Sequence, residues 1–185
     1  MLKFLIYCTK TGLLLTKDKE KGVYKLTPKG QYDHSETYLN GKVVAEVDGI
    51  YDDIFLKDGE YRTNISDECE LLRRSCLTRK ELDDYLSVKN NQGKAVYLSN
   101  LKEFDFPKNL GEYGYVKKTT SYSYDADCYV GDEYMAMVEN APQNMMVVYD
   151  SAGNCYVLIS IRPQWVCHIL NRTKDIEVRK VVIKG

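Results

Sequence analysis

The chain has 185 residues and a formal net charge of −1, from 26 Lys and Arg against 27 Asp and Glu. This length fits one domain with insertions, and an apolar fraction of 44% is enough to build a core. No apolar run approaches about 18 residues, and the short apolar stretch at 1–7 lacks a cleavage signal, so we expect a cytoplasmic protein without membrane partners.

Charge is distributed unevenly along the chain. Residues 151–185 contain six Lys and Arg against two acids, whereas residues 1–150 contain twenty against twenty-five. A weakly acidic body with one basic segment argues against general coating of nucleic acid. The pattern favours a small anionic target, or a single nucleotide bound in a pocket. The six cysteines show no metal-ligand spacing, so we expect reduced thiols, no metal and no cofactor.

Strand patterns dominate the first 60 residues. An apolar run at 2–8 predicts a buried strand. The polar, mixed stretch 13–40 contains turn signals and predicts a hairpin-like excursion. Residues 42–48 alternate between apolar and polar and predict a second strand. We expect a turn at Asp52–Asp53 and then a short strand at 54–56.

Two short helices are predicted next. Ser66 and Asp67 begin the first helix, which carries acids in its first turn and ends near Arg74, as the helix dipole favours. Thr78 and Glu81 form a capping box for the second helix, which extends to about residue 86.

The middle of the chain contains strand patterns and a tyrosine-rich stretch. Residues 95–99 and 101–106 predict two strands, ended by Pro107, and residues 145–149 predict another. Tyrosine is concentrated in residues 112–134. Two interpretations remain open: packing at half-buried strands, or a surface for stacking and protein contacts.

The last thirty residues predict a strand, a helix and a strand. Residues 156–161 are apolar and β-branched, and Arg162 precedes a proline suited to a first helical position. From residue 175 the pattern alternates, which places Glu177 and Arg179 on one face, with Lys174 in the turn before them. Strands outnumber helices, so we expect the α+β class with a mixed sheet or small barrel.

Residues 157–180 resemble the signature of ASCH domains, a branch of the PUA-like fold. The resemblance lies in an apolar strand, an Arg-Pro pair, a helix ending in Ile-Leu, and the motif Lys174-x-x-Glu177-x-Arg179; Arg172 stands where the family has glycine. Further segments similar to the family occur in a different order, at 5–9, 40–46, 97–110 and 141–145.

That order indicates a circular permutation. The turn at 150–154 would join the family's usual ends, and insertions would occupy about 11–39 and 112–138 of a small PUA-like mixed β-barrel with short flanking helices. The alternative is that residues 155–185 begin a second, truncated copy. Under permutation, residues 1–150 need the last unit to close, and Ile176–Ile183 should pair with Leu2–Cys8 or lie beside it.

The resemblance implies a cleft that binds RNA or a nucleotide, small or single-stranded. Guanidinium groups suit phosphate, a glutamate can accept from a base amine, and a tryptophan can stack a base. The candidate binding residues are Arg162, Trp165, Lys174, Glu177, Arg179 and Gln143. Two alternatives remain open: a surface ladder of alternating charges that holds strands in register, and a core position for Trp165.

Two other functions are compatible with the sequence. One ASCH branch hydrolyses N4-acetylated cytidine with a lysine, a threonine and a glutamate, and Lys174 matches that lysine. Glu177 stands at the threonine position, so binding is favoured over catalysis. The composition also resembles that of phage or mobile-element proteins, some of which inhibit host defence complexes such as CRISPR effectors; residues 112–138 would then carry an anti-CRISPR-like contact with a host protein.

Overall fold

The computed structural model describes residues 2–18, 20–31, 36–116 and 145–180. Within these ranges the chain combines strands with a few short helices, which confirms the α+β class. The strands are β1 Leu2–Cys8, β2 Leu13–Asp18, β3 Tyr24–Pro28, β4 Glu36–Tyr38, β5 Lys42–Lys57, β6 Glu60–Arg62, β7 Gly93–Asn109, β8 Gly114–Val116, β9 Met145–Tyr149, β10 Cys155–Ile161 and β11 Ile176–Lys180. The α-helices are α1 Glu68–Ser75, α2 Arg79–Leu86 and α3 Pro163–Leu170.

One large sheet forms the body of the protein. Its strand order is β11-β7-β5-β1-β10-β9-β8, and β6 adds to the far end of β5. β1 and β10 run parallel, whereas the other neighbours are antiparallel, so the sheet is mixed and curls into a half-barrel. No helix in the described ranges is long and apolar enough to cross a membrane.

The position of β11 corrects one expectation from the sequence. β11 pairs with β7, with Ile176 opposite Tyr97 and Lys180 opposite Gly93. Both edges of β1 are already occupied, by β5 on one side and β10 on the other. The last strand therefore cannot lie beside Leu2–Cys8, and the α3 crossover carries it to the other end of the sheet.

Two long strands replace four predicted short ones. The predicted turn at Asp52–Asp53 is wrong, because these residues pair with Ala95 and Lys94 inside a continuous β5. Pro107 does not end β7, which continues to Asn109. The register between β5 and β7 shifts between Glu103 and Lys108, so Pro107 lies in a bulge where its missing N–H interrupts no ladder bond.

Local signals at helix ends are confirmed. The Asp67 side chain accepts from the Glu70 amide at the start of α1, and Thr78 and Glu81 form the expected capping box of α2. Pro163 occupies the first turn of α3. Each of these features depends on residues within one helical turn, which is why the pattern alone identifies them.

The excursion at 13–40 is a small three-stranded sheet with order β3-β2-β4. It covers one face of α3, whose Val166 and Ile169 join a core with Phe4, Ile6 and Leu15. A second core lies at the far end of β5 and β7, under α1 and α2.

The predicted turn at 150–154 is confirmed as the connection of β9 to β10, closed by a hydrogen bond from the Asp150 amide to the Asn154 carbonyl. Tyr113 is buried against Leu5 and Val148, so this tyrosine packs in the core. Tyr122, Tyr124, Tyr129 and Tyr134 lie outside the described residues, as does most of the proposed 112–138 interface. Permutation itself stays a prediction.

Candidate functional site

A cleft of about 880 Å³ opens between β11, the end of β10, and helices α2 and α3. The sheet curls so that β11, at one end of the strand order, faces β10 across this opening. The lining residues are Thr9, Thr11, Leu77, Glu81, Tyr85, Met146, Ser160, Arg162, Gln164, Trp165, Lys174, Glu177, Val178, Arg179 and Lys180.

A buried charged triad forms part of the cleft wall. The Glu177 carboxylate forms two ion pairs: Lys174 Nζ lies 3.2 Å from its Oε2, and Arg179 Nη2 lies 3.2 Å from its Oε1. All three side chains are at most 8% exposed. The triad therefore contains two cations and one carboxylate, with little access to water that could screen the surplus charge.

Lys174 is fixed from three directions. Its ammonium donates to the Ser75 carbonyl at 2.6 Å, pairs with Glu177, and lies 5.1 Å from the centroid of the Trp165 ring. Ser75 is the last residue of α1, so the ammonium meets the negative end of that helix. These contacts hold Lys174 rigidly and use its donors inside the protein.

Arg179 joins the two sides of the cleft. Its Nη2 donates to the Ser160 carbonyl of β10 at 2.5 Å, while its backbone belongs to β11. This side-chain bond spans the opening of the half-barrel, where the two strands form no backbone ladder in the described structure. Arg179 thus lines the cleft and also links β11 to β10 through its side chain.

The turn before Lys174 holds Arg172 in a backbone conformation that is unusual for a residue with a side chain. Arg172 has φ +65°, in the left-handed region that glycine favours. Its amide donates to the Ile169 carbonyl and the Thr173 amide donates to the His168 carbonyl, the two bonds of a Schellman motif that ends α3. Arg172 therefore keeps the glycine-type geometry at a cost in strain.

A second contact holds this turn against α1. Arg74 Nε and Nη2 donate to the two Asp175 carboxylate oxygens at 2.9 and 3.1 Å, and the Asp175 amide donates to the Arg74 carbonyl. The hydrogen bonds that Arg74 donates to Asp175 raise the pKa of its guanidinium most strongly, and the one it donates to Glu70 adds to the shift. These hydrogen bonds between Arg74 and Asp175 place Lys174 within reach of the adjacent Ser75 carbonyl.

Five of the six predicted site residues line this one cleft. The interpretation of Lys174, Glu177 and Arg179 as a surface ladder is wrong, because all three are buried. Arg162 is exposed at the rim, and Trp165 is half-buried, since it packs against the core and also lines the cleft. Gln143 lies outside the described residues.

Several lining residues were not predicted from the sequence. Glu81 and Tyr85 lie one turn apart on α2, and Thr9 and Thr11 follow β1. Burial raises the pKa of the Tyr85 hydroxyl, while the nearby Arg179 opposes that shift. The i, i+4 spacing of Glu81 and Tyr85 indicates a shared face, but nothing local shows that this face meets β11.

The lining charges are predominantly positive. Arg162, Lys174, Arg179 and Lys180 face two carboxylates, those of Glu81 and Glu177, although the chain as a whole is slightly acidic. A local surplus of positive charge within low-dielectric walls concentrates anions.

A scan against protein-family models, a search among curated proteins and a search among solved structures each return no match. The resemblance to ASCH domains therefore stays a prediction.

Proposed function

We propose that the protein binds a nucleotide, or a short stretch of single-stranded RNA, in the cleft between β10 and β11. The observation that carries this proposal is the buried triad, in which Lys174 and Arg179 share the single carboxylate of Glu177. A buried charge without a full partner is costly, and a bound anion relieves that cost. The cleft therefore favours an anionic ligand.

Size and lining support a nucleotide over a simple ion. The cleft volume of about 880 Å³ lies in the range of small-molecule sites, about 300–1,000 Å³. Aromatic groups of Trp165 and Tyr85 line it beside the cations, and bases stack on such groups. The resemblance of residues 157–180 to ASCH domains points to the same ligand class.

The geometry favours binding over hydrolysis of N4-acylated cytidine. A general base must accept a proton from water, but each Glu177 oxygen is already paired with a cation. Lys174 is similarly occupied by the Ser75 carbonyl. These contacts support a binding role for both groups over a role in proton transfer.

Fluorescence of the single tryptophan provides a direct binding assay. Trp165 lines the cleft, so a ligand that enters should change its emission. We expect nucleoside monophosphates, or tetranucleotide RNA, to give saturable titrations. Arg162→Ala should weaken binding about tenfold, the cost of one charge-assisted hydrogen bond. The Arg162 side chain is exposed and makes no capping hydrogen bond to α3, so its removal should leave the fold unaffected.

Arg73→Ala is the matched control, because Arg73 is an exposed arginine on α1 that does not line the cleft. It should bind as the wild type does. The triad residues are poorer test sites, since their loss would also weaken the fold. Absence of titration by every nucleotide and RNA probe would overturn the proposal, as would equal affinity of Arg162→Ala and wild type.

A further inference from the structure

Two buried polar atoms in the cleft residues have no hydrogen-bond partner within the described part of the chain. They are the Thr9 hydroxyl oxygen and the Arg179 Nε. Buried polar groups in native proteins are nearly always satisfied, and an exception calls for an unseen water, ion or ligand. Arg179 is 8% exposed, so its Nε has no ready access to bulk solvent.

Both residues are tied to neighbouring positions on β10. The Thr9 amide donates to the Ile161 carbonyl at 2.9 Å, and Arg179 Nη2 donates to the Ser160 carbonyl at 2.5 Å. Arg162 directly follows Ile161 in the chain, and it also lines the cleft. Around the end of β10, the cleft is therefore lined by one residue with an unpartnered hydroxyl, one with an unpartnered guanidinium N–H and one with an exposed guanidinium.

From this arrangement we infer an oxyanion subsite, formed by Thr9, Arg179 and Arg162, that receives a phosphate group of the ligand. The subsite rests on the proposed function, and it assigns the phosphate group of the ligand to the end of β10. Hydroxyl and guanidinium donors suit phosphate oxygens, and guanidinium matches them with two parallel N–H donors. Glu177, occupied by Lys174 and Arg179, does not oppose the anion with a free carboxylate.

The protein contains a matched control for the hydroxyl. Thr16 on β2 is fully buried, and its hydroxyl also has no partner among the described residues, but it does not line the cleft. Thr→Val keeps the shape and removes the hydroxyl at both positions. Removing an unsatisfied buried hydroxyl should raise the melting temperature of each variant by about 1–3 °C.

The test titrates inorganic phosphate, cytidine, cytidine 5′-monophosphate and a hydroxyl-ended RNA tetramer against wild type, Thr9→Val and Thr16→Val. Trp165 fluorescence reports binding, and thermal unfolding reports stability. We expect Thr9→Val to lose about fivefold to tenfold in affinity for every phosphate-containing probe, with cytidine unaffected. Thr16→Val should bind all four probes as wild type does.

The pattern of results separates this subsite from the proposed function. Equal affinities of Thr9→Val and wild type for phosphate probes would overturn the subsite, since Thr9 would then hold only water. Nucleotide binding with that result would leave the proposed function standing. Phosphate binding that depends on Thr9, without any nucleotide or RNA binding, would support the subsite and overturn the proposed function. Comparison of monophosphate with tetramer shows whether the phosphate is terminal or internal.

Discussion

Lys174 Nζ lies 3.2 Å from Glu177 Oε2, and neither side chain is more than 8% exposed. This pair connects the end of α1, through the Ser75 carbonyl, to β11 and so to the main sheet. The motif that the sequence marks as a binding site is therefore also part of the framework. Changes in it should alter the free energy of unfolding and, under the proposed function, ligand affinity as well.

Replacement of Glu177 by glutamine should destabilise the fold by about 3–5 kcal/mol, the usual cost of breaking a buried ion pair. The change keeps the side-chain shape but leaves Lys174 and Arg179 together without a countercharge. Urea unfolding of wild type and Glu177→Gln measures the difference. Adding Lys174→Met should recover part of the loss, because it removes one of the two buried cations.

The control for this prediction is Glu60→Gln. Glu60 also pairs with an arginine, at 3.1 Å, but both side chains are exposed, 57% for Glu60 and 42% for Arg62. Exposed pairs contribute about 0–1 kcal/mol, so this variant should unfold almost as wild type does. Similar losses at positions 60 and 177 would show that burial of the triad carries no special cost.

The sequence predicts those features that depend on near neighbours and fails where distant residues decide. The Thr78 cap and the α3 start were found because their partners lie within one turn. Asp52 looked like a turn residue. In the fold its carboxylate accepts hydrogen bonds from the backbone amide and the side-chain amide of Asn64. Asp52 can therefore lie inside β5, because a loop twelve positions away provides its hydrogen-bond donors.

The same distinction holds for the candidate site. The order of charges at 174–179 is local, and it correctly grouped Lys174, Glu177 and Arg179. Their burial depends on the Ser75 and Ser160 carbonyls, which belong to other elements. Pairing of β11 with β7 likewise depends on a contact about eighty positions away, and no periodicity in either strand specifies it.

Arg172→Gly should stabilise the protein by about 1 kcal/mol. Arg172 holds φ +65°, which costs a side-chain-bearing residue roughly 1–2 kcal/mol, and glycine removes that cost while losing some chain entropy on folding. Denaturant unfolding measures the change. Arg73→Gly is the matched substitution within α1, where glycine should instead cost about 1 kcal/mol. A loss of stability in Arg172→Gly would show that its side chain contributes more than its strain costs.

The buried thiol of Cys8 should make stability fall with rising pH above 9. Burial raises the pKa of this thiol from 9.0 to about 12, and the nearby Cys167 adds to the shift. Between these values the unfolded chain releases a proton that the native state keeps, so alkaline conditions favour unfolding. The expected loss is about 1 kcal/mol per pH unit from pH 9 upward.

Comparison with Cys8→Ala isolates this effect. Alanine lowers stability at every pH by leaving a cavity, but the gap between the variant and wild type should narrow between pH 9 and 10. Cys69→Ala serves as the control for removal of an exposed thiol. A gap for Cys8→Ala that does not change with pH would contradict the prediction.

Truncation after Gly153 should leave a chain that does not fold. The deletion removes β10, the parallel neighbour of β1 and the partner of β9, together with β11 and α3. The core around Phe4 and Ile6 would lose apolar residues of β10 and the inner face of α3.

We expect no cooperative thermal transition by circular dichroism and little dispersion of amide proton shifts. Co-expression of the truncated chain with a 154–185 peptide should restore folding, because the missing elements form one continuous strand–helix–strand unit. A cooperative transition in the truncated chain alone would show that residues 1–153 close without it.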